Sequence, residues 1–282
     1  MKEIKTIQII GVGNIGTAVI EDMIAREEEL VKDGNFLAED KNVIWGVDKD
    51  ESKQIQINTE EQDGKLIEAP PLYEVFAEIK EADAHIICVY STDQIFEVLN
   101  NIPLENNPTI IIESTVDPAR FEELEKWQKE HDANLVLYPH RFNPNDSAHR
   151  VFNTWRLVGM MGSNYVEVQR FIGRYSKMVI NTTPKIACIS KPLENAYRFI
   201  EIAIGEEIRM ICDVYKIDYK ELMFAMNTKW NIDIKEARKG IGGYCLPKDS
   251  DLILNNLLGF SFLETAKLVD EKYKEIEEKG DE

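Results

Sequence analysis

The 282-residue chain predicts an α/β fold, with a doubly wound parallel sheet followed by an all-α region built on one long helix. Two features of the sequence carry this expectation. Over the first two thirds of the chain, short and almost wholly apolar runs alternate with amphipathic stretches, the pattern of parallel strands covered on both faces by helices. Beyond Pro184 the strand-like runs cease and helical spacing takes over.

The strands are read at Ile7–Ile10, Val43–Val47, Ala84–Val89, Thr109–Ile112 and Leu135–Leu137. Between them Gly16–Val31, Pro71–Lys80 and Pro118–His131 carry helical spacing with charged faces. In the second region a long helix is expected from Lys191 to Tyr215, interrupted only by Pro192 in its first turn and by Gly205. Proline disfavours helical angles at the residue before it, so Lys191 is expected at the helix start. Further helices are expected at Tyr219–Met226, Ser250–Leu257 and Ser261–Glu278, with a frayed end from Glu277 to Glu282. The expected domains are therefore 1–184 and 185–282. Trp127, Phe171 and Trp230 read as packing residues, and Cys88 and Cys212 as core fillers. His131 and His149 receive no role.

A net charge of −18 disfavours nucleic acid and anionic membranes as partners, since both repel an acidic surface. No apolar run approaches the roughly 18 residues of a membrane helix, and the start offers no room for a signal peptide. A cytoplasmic protein is expected. The four cysteines show neither metal-ligand spacing nor a disulfide framework, so no metal is expected.

Gly11-Val12-Gly13-Asn14-Ile15-Gly16 fits G-x-G-x-x-G, directly after an apolar strand and at the start of a helix. The first glycine permits the tight turn, the second lets a pyrophosphate approach, and the third packs helix against sheet. Asn14 and Ile15 then open a helix whose N-terminal N–H groups face the phosphates. The second strand ends in Asp48, an acid placed to accept the ribose hydroxyls of NAD and to repel the extra phosphate of NADP. Asp48 lies 32 residues past Gly16, where about 20 is usual, so an extended helix or inserted loop is expected over Glu27–Asn42. A Gly-rich turn without a ligand is the competing reading. The whole pattern is that of a Rossmann domain.

Gly240-Ile241-Gly242-Gly243-Tyr244-Cys245-Leu246-Pro247-Lys248-Asp249 places a cysteine in a Gly-rich turn before a helix expected to begin near Asp249. A helix N-terminus and a nearby cation would favour the thiolate. The alternative is a small buried residue beside a turn.

This segment resembles the GGxCxPKD signature of the UDP-glucose/GDP-mannose dehydrogenase family. Ala187-Cys188-Ile189-Ser190-Lys191-Pro192-Leu193-Glu194-Asn195-Ala196 resembles that family's A-E-x-x-K-x-x-x-N-A helix opening, and Glu207 falls at its N-E. Cys88-Val89-Tyr90-Ser91-Thr92 resembles C-V-x-T. Glu113-Ser114-Thr115-Val116 resembles the S-T-V turn, and Tyr138-Pro139-His140-Arg141-Phe142-Asn143-Pro144 resembles P-E-R-F-N-P. The order agrees over nearly the whole chain.

The resemblance implies an NAD-dependent, two-step oxidation of a nucleotide-sugar alcohol to a uronic acid. Cys245 would hold the substrate carbon as a thiohemiacetal and then a thioester. Lys191 and Asn195 would polarise the reacting oxygen, and Asp249 would help position the hydrolytic water. Val89, Ser91, Thr92 and Thr115 would contact the cofactor, with Thr92 and Thr115 on the nicotinamide side of the cleft. The P-x-R-F-N-P turn leans toward the UDP-N-acetyl-hexosamine branch over UDP-glucose. A homodimer through Lys191–Tyr215 is also implied.

The match departs from the family at three places. His140 stands where a glutamate is usual, either as a substitute base near neutrality or as the mark of a changed reaction. Cys188 and Glu206 replace the family's glutamate and asparagine in the two helix motifs. The family's third, nucleotide-gripping domain is not seen, which implies a partner chain supplying it, a different substrate, or an NAD-binding regulatory protein. A two-electron hydroxyacid dehydrogenase is a further alternative, and it would not need Cys245.

Overall fold

The computed structural model describes residues 3–34, 37–54, 58–62, 65–69, 72–142, 148–163, 165–176, 178–237, 239–255 and 261–280. Asn143 and Pro144 of the P-x-R-F-N-P turn lie outside these, as do residues 256–257 of the expected Ser250–Leu257 helix and Asp281 and Glu282 of the expected frayed end. The chain divides into two compact units, residues 1–188 and 189–282.

The first unit opens with β1 (Thr6–Ile10), α1 (Asn14–Lys32), β2 (Val43–Val47) and the short α2 (Glu51–Gln54). An antiparallel hairpin follows, β3 (Asn58–Gln62) with β4 (Lys65–Ala69), and then β5 (Val75–Phe76). Next come β6 (Ala84–Ile87), α3 (Thr92–Leu99), β7 (Thr109–Ile112), α4 (Phe121–His131) and β8 (Asn134–Leu137). β9 (Arg156–Met161), α5 (Tyr165–Tyr175) and β10 (Val179–Thr182) complete its sheet.

The strand order is β10-β9-β8-β7-β6-β1-β2-β5, parallel throughout except for the β8–β9 pair. From β5 to β8 this is the Rossmann order, with β1 at the centre and the chain winding outward to either side. The switch point lies between β1 and β6, and ligands of such sheets bind beyond the carboxyl ends of those strands. Isoleucine, valine and leucine fill both faces: Ile7 and Ile9 face one core with Met23 and Phe171, and Ile10 and Ile87 face the other with Ile95 and Trp127.

One expectation for this unit needs correction. The Pro71–Lys80 stretch is not helical in its described part: Val75 and Phe76 pair in parallel with Gly46 and Val47 as an edge strand. Its apolar residues fit a helical stripe and a strand pattern equally over so few positions, and pairing with β2 decides the matter. The long spacing before Asp48 also resolves. α1 runs to Lys32, and the buried Glu27 near its end accepts from the Asn42 side chain, from Arg174 and, at 2.7 Å, from the Tyr175 hydroxyl. The extra residues are thus a helix extension and a loop pinned back against α5.

The long helix α6 spans Pro184–Tyr215. It begins seven residues before the expected start because Thr183 caps it, its hydroxyl taking the Ile186 N–H, with Pro184 in the first turn. Pro192 therefore lies inside the helix, and Lys191 is helical rather than at a helix start. The preference against helical angles before proline is overridden by a helix already nucleated. The cost is one backbone bond, the one Pro192 would otherwise give to the Cys188 carbonyl. Ala187 and Cys188 pack into the first unit's core, and Gly159 in β9 leaves room for Pro184 and Ala187 to lie on the sheet.

In the second unit the rest of α6 is joined by α7 (Tyr219–Asn227), α8 (Cys245–Leu254) and α9 (Phe262–Gly280), with no strand among its described residues. Gly205 lets the Lys235 carbonyl approach α6, where an added Cβ would overlap it. Ala196, Phe199 and Ile202 form a core with Ile241, Ile253 and Leu263. α8 starts at Cys245, four residues earlier than expected, since Pro247 is tolerated in a first turn where its missing N–H costs nothing. Trp230 is not a packing residue. It is 93% exposed, whereas Trp127 and Phe171 are buried. No helix among the described residues is long and apolar enough to cross a membrane.

Candidate active site

A cleft of about 750 Å³ opens in the first unit beyond the ends of β1, β2 and β6. Gly11, Gly13, Asp48 and Val89 line it, and the sequence had already singled out all four. Gly11 adopts φ +93°, which a side chain would strain, and its N–H reaches the Val47 carbonyl at 2.8 Å. A Cβ on Gly16 would overlap the Gly11 carbonyl oxygen, so the third glycine is what lets α1 pack against the turn. Gly13 differs from both. It has an ordinary extended backbone, and an added Cβ would meet only the Tyr90 ring, with the hydroxyl at 3.3 Å.

Gly13 is the N-cap of α1, and no side chain caps that helix. Asn14 and Ile15, its first two residues, therefore keep their N–H groups clear of side-chain caps at the positive end of the helix dipole. Asp48 ties the cleft together: its carboxylate accepts the Val12 N–H at 2.8 Å and the Asp50 N–H at 3.0 Å.

The further residues expected to contact the cofactor have structural bonds of their own. Ser91 caps α3 by accepting the Gln94 N–H. The buried Thr92 hydroxyl accepts the Asp117 N–H at 2.9 Å, and the Val89 N–H goes to the buried Ser114 hydroxyl at 2.8 Å. Thr115 is half-buried in the turn after β7. Sequence reasoning passed over Tyr90, Lys49 and Glu97, which also line the cleft. Tyr90 occupies the unspecified position of the C-V-x-T pattern, so no motif pointed to it.

His140 follows β8, half-buried. Its Nδ1 lies 3.2 Å from the Glu113 carbonyl oxygen. A carbonyl only accepts, so Nδ1 carries a proton at this contact. Beneath this turn lies an ion pair that the sequence did not disclose. Arg156 Nη2 meets the Glu113 carboxylate at 2.6 Å and the Tyr138 carbonyl at 2.6 Å, and Nη1 meets the Val151 carbonyl at 3.1 Å. Arg156 and Glu113 are both fully buried. Burial pushes the Glu113 carboxyl up and Arg156 pulls it back down. One guanidinium thus links the ends of β7 and β8 to the segment before β9.

In the second unit Lys191, Asn195, Cys245 and Asp249 come from two helices. Lys191 and Asn195 are four apart on α6, and Cys245 and Asp249 are four apart on α8, so each pair shares a helix face. Asn195 Nδ2 donates to Asp249 at 2.5 Å, which joins the two faces. Asp249 is 1% exposed, and Lys248 Nζ lies 2.8 Å from its other oxygen without hydrogen-bond alignment. Cys245 is exposed on the first turn of α8, which excludes the buried alternative. The other three cysteines belong to packing. Cys212 is buried with Tyr219 and Met223, and burial pushes the Cys88 thiol well up and the Cys188 thiol up to about 12. Among the described residues no cluster of His, Cys, Asp and Glu could hold a metal ion.

Residues 185–271 match the model of the UDP-glucose/GDP-mannose dehydrogenase family's central domain. The chain is 27% identical over 169 residues to UDP-N-acetyl-D-mannosamine dehydrogenase of Methanocaldococcus jannaschii, covering 58% of this chain and 39% of that one. It resembles the solved structure of UDP-D-ManNAc dehydrogenase from Pyrococcus horikoshii with a TM-score of 0.72 at 21% identity, over 95% of this chain and 68% of the other. It also resembles 3-hydroxyisobutyrate dehydrogenase from Mycobacterium tuberculosis with a TM-score of 0.65 at 14% identity, over 98% and 93% of the two chains. These structural likenesses are of fold. The matched central domain, the motifs that bracket it and the Rossmann unit before it agree in resembling the UDP-glucose/GDP-mannose dehydrogenase family.

Proposed function

We propose that the protein oxidises an alcohol of a nucleotide sugar to the uronic acid in two NAD-dependent steps, with Cys245 holding the substrate carbon between them. The observation that carries this reading is the joining of Asn195 and Asp249 on the helix faces that also hold Lys191 and Cys245, the only exposed thiol of the chain's four. The name of the Methanocaldococcus relative favours a UDP-N-acetyl-hexosamine as the substrate class.

The first unit suits a dinucleotide. The cleft's volume, the room at Gly13 and the uncapped start of α1 fit a pyrophosphate, and Asp48 at the end of β2 fits an unphosphorylated ribose. Val89, Ser91, Thr92 and Thr115 are assigned to the cofactor, with Thr92 and Thr115 on the nicotinamide side. When bound, NAD would supply the hydride acceptor for each of the two oxidations.

The Cys245 thiolate adds to the carbon of the aldehyde and forms the C–S bond of a thiohemiacetal. Oxidation of that adduct leaves a thioester, and water cleaves the C–S bond to give the carboxylate and return the thiol. Lys191 and Asn195 stabilise charge developing on the reacting oxygen. Asp249 aims the Asn195 amide and helps position the water. His140 is assigned the role of a base in the hydrolytic step. In solution the protein forms a homodimer through α6, where Leu193, Tyr197, Ile204, Ile211 and Val214 leave an apolar stripe exposed.

A second reading, a two-electron hydroxyacid dehydrogenase, is favoured by the near-complete coverage of the 3-hydroxyisobutyrate enzyme's two-part fold. The two separate on stoichiometry when NAD is supplied with a panel of UDP- and GDP-sugars and, separately, with hydroxyacids. Two NADH per sugar, lost in Cys245→Ala, support the first reading. One NADH per hydroxyacid, unharmed in Cys245→Ser, replaces it with the second. No turnover with NAD binding intact by calorimetry would leave an NAD-binding protein that works through a partner.

A further inference from the structure

The segment that delivers Cys245 is held from α9 by a device that none of the sequence motifs contains. Asp270 and Lys274 stand four apart on α9 and pair with each other, Nζ to Oδ2 at 2.7 Å. Both also grip one residue of the segment. Asp270 Oδ1 accepts the Ile241 N–H at 2.7 Å, and Lys274 Nζ donates to the Ile241 carbonyl at 3.1 Å. The Lys274 stem lies across Gly240, where an added Cβ would overlap it, and Gly240 takes φ +77°. Asp270 is buried, and Ile241 sits in the core formed with Ile253 and Leu263.

The need for such a clamp follows from what comes next. Between Ile241 and Tyr244 stand only Gly242 and Gly243, both in open space, with Gly243 at φ +81°. Two adjacent glycines leave the backbone freer than any other pair of residues. The position of Cys245 then depends on the anchors at either end of that hinge: α8 on one side and the Ile241 peptide on the other.

We propose that Asp270 and Lys274 are positioning residues for Cys245, fixing the thiol by clamping both polar groups of Ile241. This deepens the reading in which Cys245 is the nucleophile and rests on it. Two variants separate the parts of the clamp. Lys274→Met keeps the stem beneath Gly240 but removes the donor to the Ile241 carbonyl. Asp270→Asn keeps an acceptor for the Ile241 N–H but breaks the ion pair.

The test measures the iodoacetamide alkylation rate of Cys245 by peptide mass spectrometry in the full chain, with Cys245→Ala as the blank, alongside kcat, KM and NAD affinity. Both variants should change the alkylation rate at least about threefold and lower kcat about tenfold or more, since displacement of about an ångström suffices for such losses. NAD affinity, set in the other unit, should stay at the wild-type value, and Lys274→Arg should recover most of the loss. Wild-type alkylation and kcat in folded Lys274→Met and Asp270→Asn would overturn the proposal. So would a lowered melting temperature with unchanged Cys245 alkylation, which marks a merely structural pair. If the wild-type protein oxidises no sugar, the function proposed above fails, and the alkylation rates alone still decide the clamp.

Discussion

Replacing His85 by leucine should flatten part of the acid destabilisation of the Rossmann unit, by an amount that follows from where the ring lies. His85 is in the middle of β6, next in register to Gln8 of β1, which is in turn paired with Trp45 of β2. This polar row crosses three central strands two residues below the strand ends that floor the cleft. His85 is fully buried, and neither ring nitrogen has a hydrogen-bond partner among the described residues. Burial alone lowers its pKa from 6.5 to about 4. The folded state thus prefers the neutral ring, and between those two values the unfolded chain binds more protons. Stability therefore rises with pH across this window and is lost as pH falls from near 7 toward 4.

Integrated over that shift, His85 takes away about 1 kcal/mol at pH 5.5 and about 2–3 kcal/mol at pH 4.5, relative to alkaline conditions. Glu113 works in the opposite sense, because its raised carboxyl pKa makes the folded state the better proton binder. The difference between His85→Leu and wild type removes that common term if the two sites are independent. Urea unfolding followed by tryptophan fluorescence, with three of the four tryptophans (Trp45, Trp127 and Trp155) in the same unit, gives the difference at each pH. The variant should gain on wild type by about 2 kcal/mol or more between pH 7 and 4.5. A gain that stays the same at both pH values, within about 0.5 kcal/mol, would refute the burial argument.

Other outcomes follow from the same structure. Gly13→Ala should fold with a wild-type melting temperature yet weaken NAD binding about tenfold or more, because only a side-chain tip stands where the methyl goes while a pyrophosphate would need that space. Gly16→Ala should instead lose about 1–3 kcal/mol in urea melts, since its methyl overlaps the Gly11 carbonyl. Arg156→Met leaves Glu113 buried without its cation and should cost about 3–5 kcal/mol by the same assay. Ile204→Glu on the exposed stripe of α6 should convert a dimer to a monomer in sedimentation equilibrium; an unchanged mass would remove α6 as the contact.

The parts of the fold that could be read from the sequence are those where one local rule governs. The apolar runs of β1, β6, β7 and β8 are buried on both faces, and no other element could use them. The glycines of the Gly11–Gly16 turn each answer to a backbone constraint that the spacing displays. The expectations that failed are those where a distant partner decides. Val75 and Phe76 became a strand because β2 offered an open edge, and Pro192 was carried inside α6 because Thr183 had already started the helix eight residues earlier. Trp230 reads as core in any window of sequence, and only the completed packing leaves it outside.

The same division runs through the candidate site. Cys245, Lys191, Asn195 and Asp249 could be singled out because their segments resemble motifs of the UDP-glucose/GDP-mannose dehydrogenase family, and helical spacing puts each pair on one face. The groups that hold the site in shape could not. Arg156 binds two carbonyls and a carboxylate, and any of many positions could have supplied that guanidinium. Asp270 and Lys274 look in sequence like an ordinary i, i+4 surface pair. Their hold on Ile241, 29 residues before Asp270, exists only once α9 is laid against the segment. Reacting groups are constrained by chemistry and so leave a pattern, whereas the groups that position them are constrained only by the space around them. Supports of this kind should therefore be sought at the buried polar contacts of glycine-flanked segments, where a missing anchor would release the most backbone freedom.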